Sequence, residues 1–397
     1  MKNFHSFALP SPLATRLDKM GYTTPTPIQA QAIPYALEGR DILASAQTGT
    51  GKTAAFAIPT INHLFTNTHS RALILAPTRE LATQIFIVIR DMTKRIKGIQ
   101  PTLLIGGESM FKQVKALQYN PRILVGTPGR INDHLAQETL TLNNIDHLVL
   151  DEMDRMLDMG FLSQLKRIFA ETPKKRQTLM FTATLPKNIE KIAHQYSKNP
   201  IRIEVGGNLK VADTVEQKIL RLEGAEKFPT LSTELNERTG SIIVFAKTKR
   251  GAAKLAYRIK KQLDIKAEAI HGDLRQNQRD KILKQFRDYQ FPVLVATDVA
   301  ARGLDIPHIE HVINYDLPQL AEDFIHRLGR TGRNGAKGYA LSLITPNDHD
   351  KWFEIQKLLK QSETDVTTPG DKPQKIATKK KKKKRPYGRF KKTEKTA

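Results

Sequence analysis

The chain contains no cysteine among its 397 residues, which excludes a disulfide framework and thiolate chemistry and suits a reducing compartment. No uninterrupted apolar run approaches the length of a membrane span, and Met1–His5 has no apolar leader core. These absences predict a cytoplasmic protein with no membrane partner. Negative charge is also scarce. Forty Asp and Glu stand against 64 Lys and Arg, a net charge of +24, and the sequence pI is near 10.0. Such an excess predicts a polyanionic partner, most simply nucleic acid. Residues 363–397 hold 13 basic and 4 acidic residues, net +9, which leaves +15 on the body of the chain. Six consecutive lysines, Lys379 to Lys384, lie in that tail. It cannot bury a core and is expected to be disordered.

Apolar content of 39% and charged content of 26% are those of a globular protein, and the length allows two or three domains. The body alternates short apolar runs with turns and helix-patterned segments. One series runs Ala72–Ala76, Thr102–Ile105, Arg122–Val125, His147–Leu150 and Thr178–Phe181. A second runs Ser241–Phe245, Pro292–Val295, His311–Asn314 and Tyr339–Leu343. Runs of this kind between helices predict buried parallel strands, hence an α/β protein with two tandem parallel-sheet domains. The expected domains are 1–206 and 214–360, joined by a glycine-bearing linker over 207–213 and followed by the tail, 361–397.

The polar and glycine-rich segments sit where strands end, the place at which open α/β sheets bind ligands. Ala46–Thr53, reading AQTGTGKT after an apolar run, has the character of a phosphate loop. Its backbone N–H groups can wrap a triphosphate, Lys52 can reach the β- and γ-phosphates, and the Thr53 hydroxyl can ligate Mg²⁺. The usual pattern has Gly where this chain has Ala46. Asp151 and Glu152 follow the run Leu148–Leu150. Asp151 is placed to hold Mg²⁺ and Glu152 to orient and deprotonate an attacking water. Arg330 and Arg333, within HRLGRTGR, can stabilise developing charge on a γ-phosphate. Gln29, with a donor and an acceptor on one amide, matches the N6 and N7 edge of adenine, and Tyr22 offers a ring for stacking. Each of these has an ordinary alternative when taken alone: a glycine turn, a solvated acidic pair, a basic surface turn, a surface glutamine.

Taken together and in this order, the motifs resemble those of the DEAD-box family of ATP-dependent RNA helicases, over about Phe4 to Ile344. Phe4 and Gly21–Gln29 resemble the family's Q motif, Ala46–Thr53 its motif I, and Pro77–Ala82 its motif Ia. Gly106, Gly107 and Thr127–Arg130 resemble its RNA-contacting GG and Ib motifs. Val244–Thr248, His271–Asp273 with Gln276 and Arg279, Ala296–Asp305 and His326–Arg333 resemble the motifs of its second domain. The resemblance implies two RecA-like domains, ATP and Mg²⁺ as cofactors, and RNA held by its backbone with weak sequence preference.

The nucleotide would be bound by Phe4, Tyr22, Gln29, Thr48, Gly49, Thr50, Gly51, Lys52, Thr53 and Asp305, the last on the ribose. RNA would be contacted by Pro77, Arg79, Gly106, Gly107, Thr127, Pro128, Gly129 and Arg130 from one domain, and by Gly272, Arg279 and Thr297 from the other. Asp154, Thr182, Thr184 and His326 would couple the two sites. Two motifs depart from the family pattern: Met153 stands where Ala is usual, and Thr182 where Ser is usual. A bacterial source and a monomer are expected, with ribosomal precursors or RNA-decay machinery as candidate partners. A non-catalytic RNA clamp, a DNA translocase and a nucleotide-sensing switch are the alternatives. The intact Lys52, Asp151, Glu152, Arg330 and Arg333 argue against the first, Gln29 and its segment against the second, and two RNA-facing motif sets against the third.

Overall fold

The computed structural model describes residues 3–46, 49–183, 185, 187–205, 214–301, 309–332 and 336–364. The strands are β1 (Ile42–Ala46), β2 (Arg71–Leu75), β3 (Pro101–Leu104), β4 (Ile123–Gly126), β5 (Ile145–Leu150), β6 (Gln177–Thr182) and β7 (Ile201–Val205), then β8 (Val215–Arg221), β9 (Ile242–Phe245), β10 (Ala267–Ile270), β11 (Val293–Ala296), β12 (His311–Asn314) and β13 (Gly338–Ile344). They form two sheets, in the orders β3-β4-β2-β5-β6-β1-β7 and β10-β11-β9-β12-β13-β8. Every pairing is parallel. The chain therefore has the two parallel-sheet α/β units that its apolar runs predict.

The central strands are buried on both faces, so they need no polar alternation. Along β2, Ala72 and Ile74 point into one core, while Leu73 and Leu75 point into the other. The second sheet divides in the same way, with Ile243 and Phe245 on one side and Ile242 and Val244 on the other. Helices after corresponding strands start alike. The Thr78 hydroxyl caps helix Arg79–Thr93 by accepting the Leu81 N–H at 3.2 Å. Thr248 caps helix Lys249–Gln262 by accepting the Gly251 N–H at 3.0 Å. Each cap satisfies an otherwise orphaned helix donor.

Strands β7, β8 and β10 lie outside the runs picked out in the sequence, and all three are sheet edges. β8, reading VEQKILR, is largely exposed. An edge strand buries too little to require an apolar run. At the C-terminal end, helix His349–Thr364 continues four residues beyond the expected domain limit at 360. The expected linker 207–213 and residues 365–397 of the tail lie outside the described residues. Among the described residues no helix is long and apolar enough to cross a membrane.

Candidate nucleotide site and nucleic-acid interface

β1 delivers the chain to the phosphate loop, and Gly49 (φ 83°) and Gly51 (φ 94°) turn it into helix Lys52–Thr66. Backbone of this kind favours glycine, because a Cβ is strained at such φ. A Cβ at Gly51 would also collide with Gln29 Nε2. Lys52 is buried, and its ammonium donates to the Ala46 carbonyl at 2.8 Å, across the loop from the helix N-terminus. Thr53 is the next helical residue. Together they present a cation, a hydroxyl and the N–H groups of the first helical turn at one mouth.

Gln29 is wedged against this loop. Its Oε1 accepts the Thr26 N–H at 2.9 Å, and its Nε2 donates to the Gly51 carbonyl at 3.0 Å. One amide N–H and one lone pair remain for a ligand. Phe4 is buried, and its ring meets Tyr22 edge-on, with centroids 5.6 Å apart. Tyr22 is half-buried against the same core, so both rings are held by packing beside the loop.

The carboxylates follow β5. Asp151 is buried and its Oδ1 accepts the Glu152 N–H at 3.0 Å. Burial pushes its pKa up to about 6, against the lowering effect of Lys52, with the charges of Glu152 and Asp154 adding to the rise. Glu152 has left-handed backbone (φ 50°, ψ 53°) at the start of helix Met153–Asp158, a conformation costly for a residue with a Cβ. Its Oε2 lies 3.2 Å from Arg155 Nη1, and both side chains are buried. Asp154 Oδ1 accepts the Arg155 N–H at 2.9 Å, and its Oδ2 accepts the Ala183 N–H at 3.0 Å. Ser45 Oγ donates to the Ala183 carbonyl at 3.1 Å. The turn after β6 is thus tied both to the carboxylate segment and to β1, beside the fully buried Thr182.

In the second unit Arg330 is buried and its Nε donates to the His326 carbonyl at 3.3 Å. One turn earlier, Arg327 holds Asp298 with Nε at 2.5 Å and Nη2 at 2.8 Å, and donates from Nη1 to Asn314 Oδ1 at 2.9 Å. It also lies over the Phe245 ring, 4.6 Å from its centroid. Asp298 in turn helps to keep Arg155 of the first unit charged, against the lowering of its pKa by burial. Four of the expected residues, Thr48, Thr184, Asp305 and Arg333, lie outside the described residues.

The loops expected to face RNA meet where the two units touch. Glu80 Oε1 takes Arg279 Nη2 at 2.7 Å and the Gln276 amide at 3.3 Å. Arg79 Nη1 is 3.5 Å from Gln276 Oε1, and a Cβ on Gly107 would collide with Arg79 and come within 3.2 Å of Gln276 Cβ. Arg130 Nη1 reaches the Glu108 carbonyl and Gln113 Oε1, each at 3.4 Å. Thr127 and Pro128 start helix Pro128–Ala136, and Gly129 faces Gln164. Pro77 is buried just after β2. Across the interface Gly272 is open, and Thr297, just after β11, donates its N–H to the Ile270 carbonyl at 3.3 Å.

Residues 26–192 match the DEAD/DEAH box helicase family, and residues 226–335 match the helicase conserved C-terminal domain. A chain from Limosilactobacillus reuteri named ATP-dependent RNA helicase CshA is 42% identical over 357 residues, covering 89% of this chain and 71% of that one. The DEAD-box ATP-dependent RNA helicase CshA of Bacillus cereus is 40% identical over 371 residues, covering 93% and 70%. The chain belongs to the DEAD-box helicase family. Among solved structures, Saccharomyces cerevisiae Dbp5 bound to RNA and ADP BeF3 superposes with a TM-score of 0.82 at 34% identity, covering 90% of this chain and 94% of that one.

For a DEAD-box helicase, the substitution of Met for Ala at position 153 is absorbed by packing. Met153 is fully buried in the core with Leu43, Leu150 and Met156. Several polar residues of this DEAD-box site were given no role from the sequence: Glu80, Asp298 and Arg327, although their segments were picked out as motifs, and Arg155 and Asn314. Arg155 carried a local signal, standing one turn after Glu152 on the same helix face. The partners of Glu80 and Arg327 are distant in the chain and left no such trace.

Proposed function

We propose that the chain is an RNA-stimulated ATPase that couples ATP hydrolysis to local, non-processive separation of RNA duplexes or remodelling of RNA–protein complexes. The observation that carries this reading is the bond that the Ala183 N–H donates to Asp154 Oδ2 at 3.0 Å. It ties the carboxylates at the end of β5 directly to the turn after β6, in a member of a helicase family.

Thr48 to Thr53 and the helix N-terminus bind the triphosphate, with Lys52 leaving the Ala46 carbonyl for the phosphates. The remaining donor and acceptor of Gln29 take adenine, Tyr22 and Phe4 line its ring, and Asp305 takes the ribose. Glu152 accepts the proton of the attacking water, and Arg330 and Arg333 stabilise the charge that develops. Thr53 and Asp151 fit Mg²⁺, since both offer hard oxygen donors and the buried Asp151 has a charge that burial disfavours. Magnesium supplies charge neutralisation at the phosphates when bound.

RNA runs over Pro77, Arg79, Gly106, Gly107, Thr127, Pro128, Gly129 and Arg130 on one side and Gly272, Arg279 and Thr297 on the other. Backbone contacts position a strand without reading its bases. Asp154, Thr182, Thr184 and His326 transmit the state of the nucleotide to this path. The basic tail tethers RNA to the core. We place the protein in the cytoplasm as a monomer acting on ribosomal precursors or with the RNA-decay machinery.

The test is ATP turnover with and without single-stranded RNA, against matched DNA, for the intact chain and for Glu152→Gln. RNA-dependent turnover that vanishes in the variant is the expected result. Tight binding of ATP and RNA without turnover would replace the helicase with a non-catalytic clamp.

A further inference from the structure

The two most exposed large hydrophobic side chains among the described residues sit on one helix and the turn that follows it. Phe111 is 77% exposed and Tyr119 is 76% exposed. Helix Met110–Leu117 packs through Gln113, 3% exposed, and Leu117, 8% exposed. Phe111 and Lys115, four residues apart, stand on the opposite face, and Tyr119 follows in the turn after the helix. Tyr119 is carried by one more turn, with its N–H on the Ala116 carbonyl at 3.3 Å. Lys112 and Gln118 are exposed beside the stripe. Aromatic rings as exposed as these bring little folding stability, and a lysine between two of them gives the stripe a positive centre.

Its position supplies the partner. The helix leaves the Gly106–Gly107 loop directly, and Arg130 grips that connection through the Glu108 carbonyl and Gln113 Oε1. Gln113 is anchored further, with its Nε2 on the Ile105 carbonyl at 2.8 Å and its Oε1 3.0 Å from His134 Nε2. The stripe is therefore a rigid continuation of the loops assigned to RNA. The helix from Phe111 to Leu117 and the turn that follows separate the two residues by roughly 12 Å along the axis. Alternating rings and cations at such spacing suit a single strand, whose bases stack on the rings while its phosphates meet the lysines.

We propose that Phe111, Lys112, Lys115 and Tyr119 form an auxiliary site for single-stranded RNA, stacking bases that extend beyond the strand held between the two units. The proposal rests on the RNA-binding reading above. It commits the surface to nucleic acid rather than to a protein, because the rings are interleaved with lysines and adjoin the RNA-facing loops.

The experiment compares two fluorescent oligoribonucleotides on the full chain with a non-hydrolysable ATP analogue. One fills only the groove between the units, and the other is lengthened by several nucleotides at either end. In the intact chain the longer RNA binds more tightly. Phe111→Ala with Tyr119→Ala weakens the longer RNA about 10-fold or more, as expected for lost base stacking, and leaves the short RNA unchanged. Phe111→Tyr retains the tighter binding. Lys112→Gln with Lys115→Gln lowers the salt slope for the longer RNA by about 1.4. Iodouridine placed in the extension cross-links to Phe111 or Tyr119. An alanine variant that binds the longer RNA like the intact chain overturns the proposal and leaves the stripe to a protein partner. Equal weakening of both RNAs also overturns it. Failure of the intact chain to bind either RNA would instead remove the helicase reading itself.

Discussion

Arg279 and Glu80 lie on helices of different units, yet their charged groups meet at 2.7 Å with side chains only 9% and 5% exposed. The pair closes one unit on the other beside the loops proposed to face RNA. Breaking a buried pair from one side leaves the other charge unpaired and costs about 3–5 kcal/mol. Glu80→Ala should therefore favour the separated units and raise the RNA concentration needed to stimulate ATP turnover. The exchange Glu80→Arg with Arg279→Glu should recover part of that loss. Both are read from the RNA dependence of ATPase activity.

Gly51→Ala should weaken ATP strongly while leaving the fold intact. Its φ of 94° disfavours any Cβ, and the added carbon meets the Gln29 amide. An affinity loss of about 10-fold corresponds to ~1.4 kcal/mol, within the usual cost of such backbone strain. Nucleotide titration of the variant, shown to be folded by its circular dichroism, is the check.

Met153→Ala would restore the family's usual residue and still destabilise this protein. The thioether is fully buried, and truncating a buried Met costs about 2–5 kcal/mol. Denaturant unfolding should show the loss, with ATP turnover at low temperature unchanged because Asp151 and Glu152 remain.

Acid should destabilise the first unit through His147. Burial is the main reason its pKa falls to about 3 from 6.5, and the neighbouring His63 lowers it further. Its ring is held 2.9 Å from the Thr60 hydroxyl. The unfolded chain binds a proton below 6.5 that the folded chain refuses. Stability is thus whole above pH 6.5 and falls as the pH drops towards 3, by up to about 1.4 kcal/mol per pH unit. Asp151, with its pKa raised to about 6, acts in the opposite sense over part of this window. The loss should therefore show in urea unfolding at pH 7.5 and 5.5 as the difference between the intact chain and His147→Asn.

Deleting Lys372 to Ala397 should lower RNA affinity and flatten its salt dependence by about 0.7 for each phosphate released. An unchanged RNA requirement for ATP turnover would remove the tether.

Much of this protein is readable from its sequence. The phosphate loop and Gln29, the Asp151–Glu152 pair and the arginine-rich HRLGRTGR segment are legible because their residue types are required at close spacing along one stretch of chain. The central strands are legible because burial on both faces demands continuous apolar runs, as in β2 and β5. Strands β7, β8 and β10 escaped because edge strands are half solvated and carry mixed residues.

Tertiary structure alone decided which polar groups meet. Glu80 finds Arg279, Asp154 finds the Ala183 N–H, and Arg327 finds Asp298 and Asn314. It also decided that Phe111 and Tyr119 stand in solvent while neighbouring Leu117 is buried. Local spacing records periodicity and turn chemistry, whereas pairing between distant charges depends on how the sheets and helices pack, which no single segment encodes.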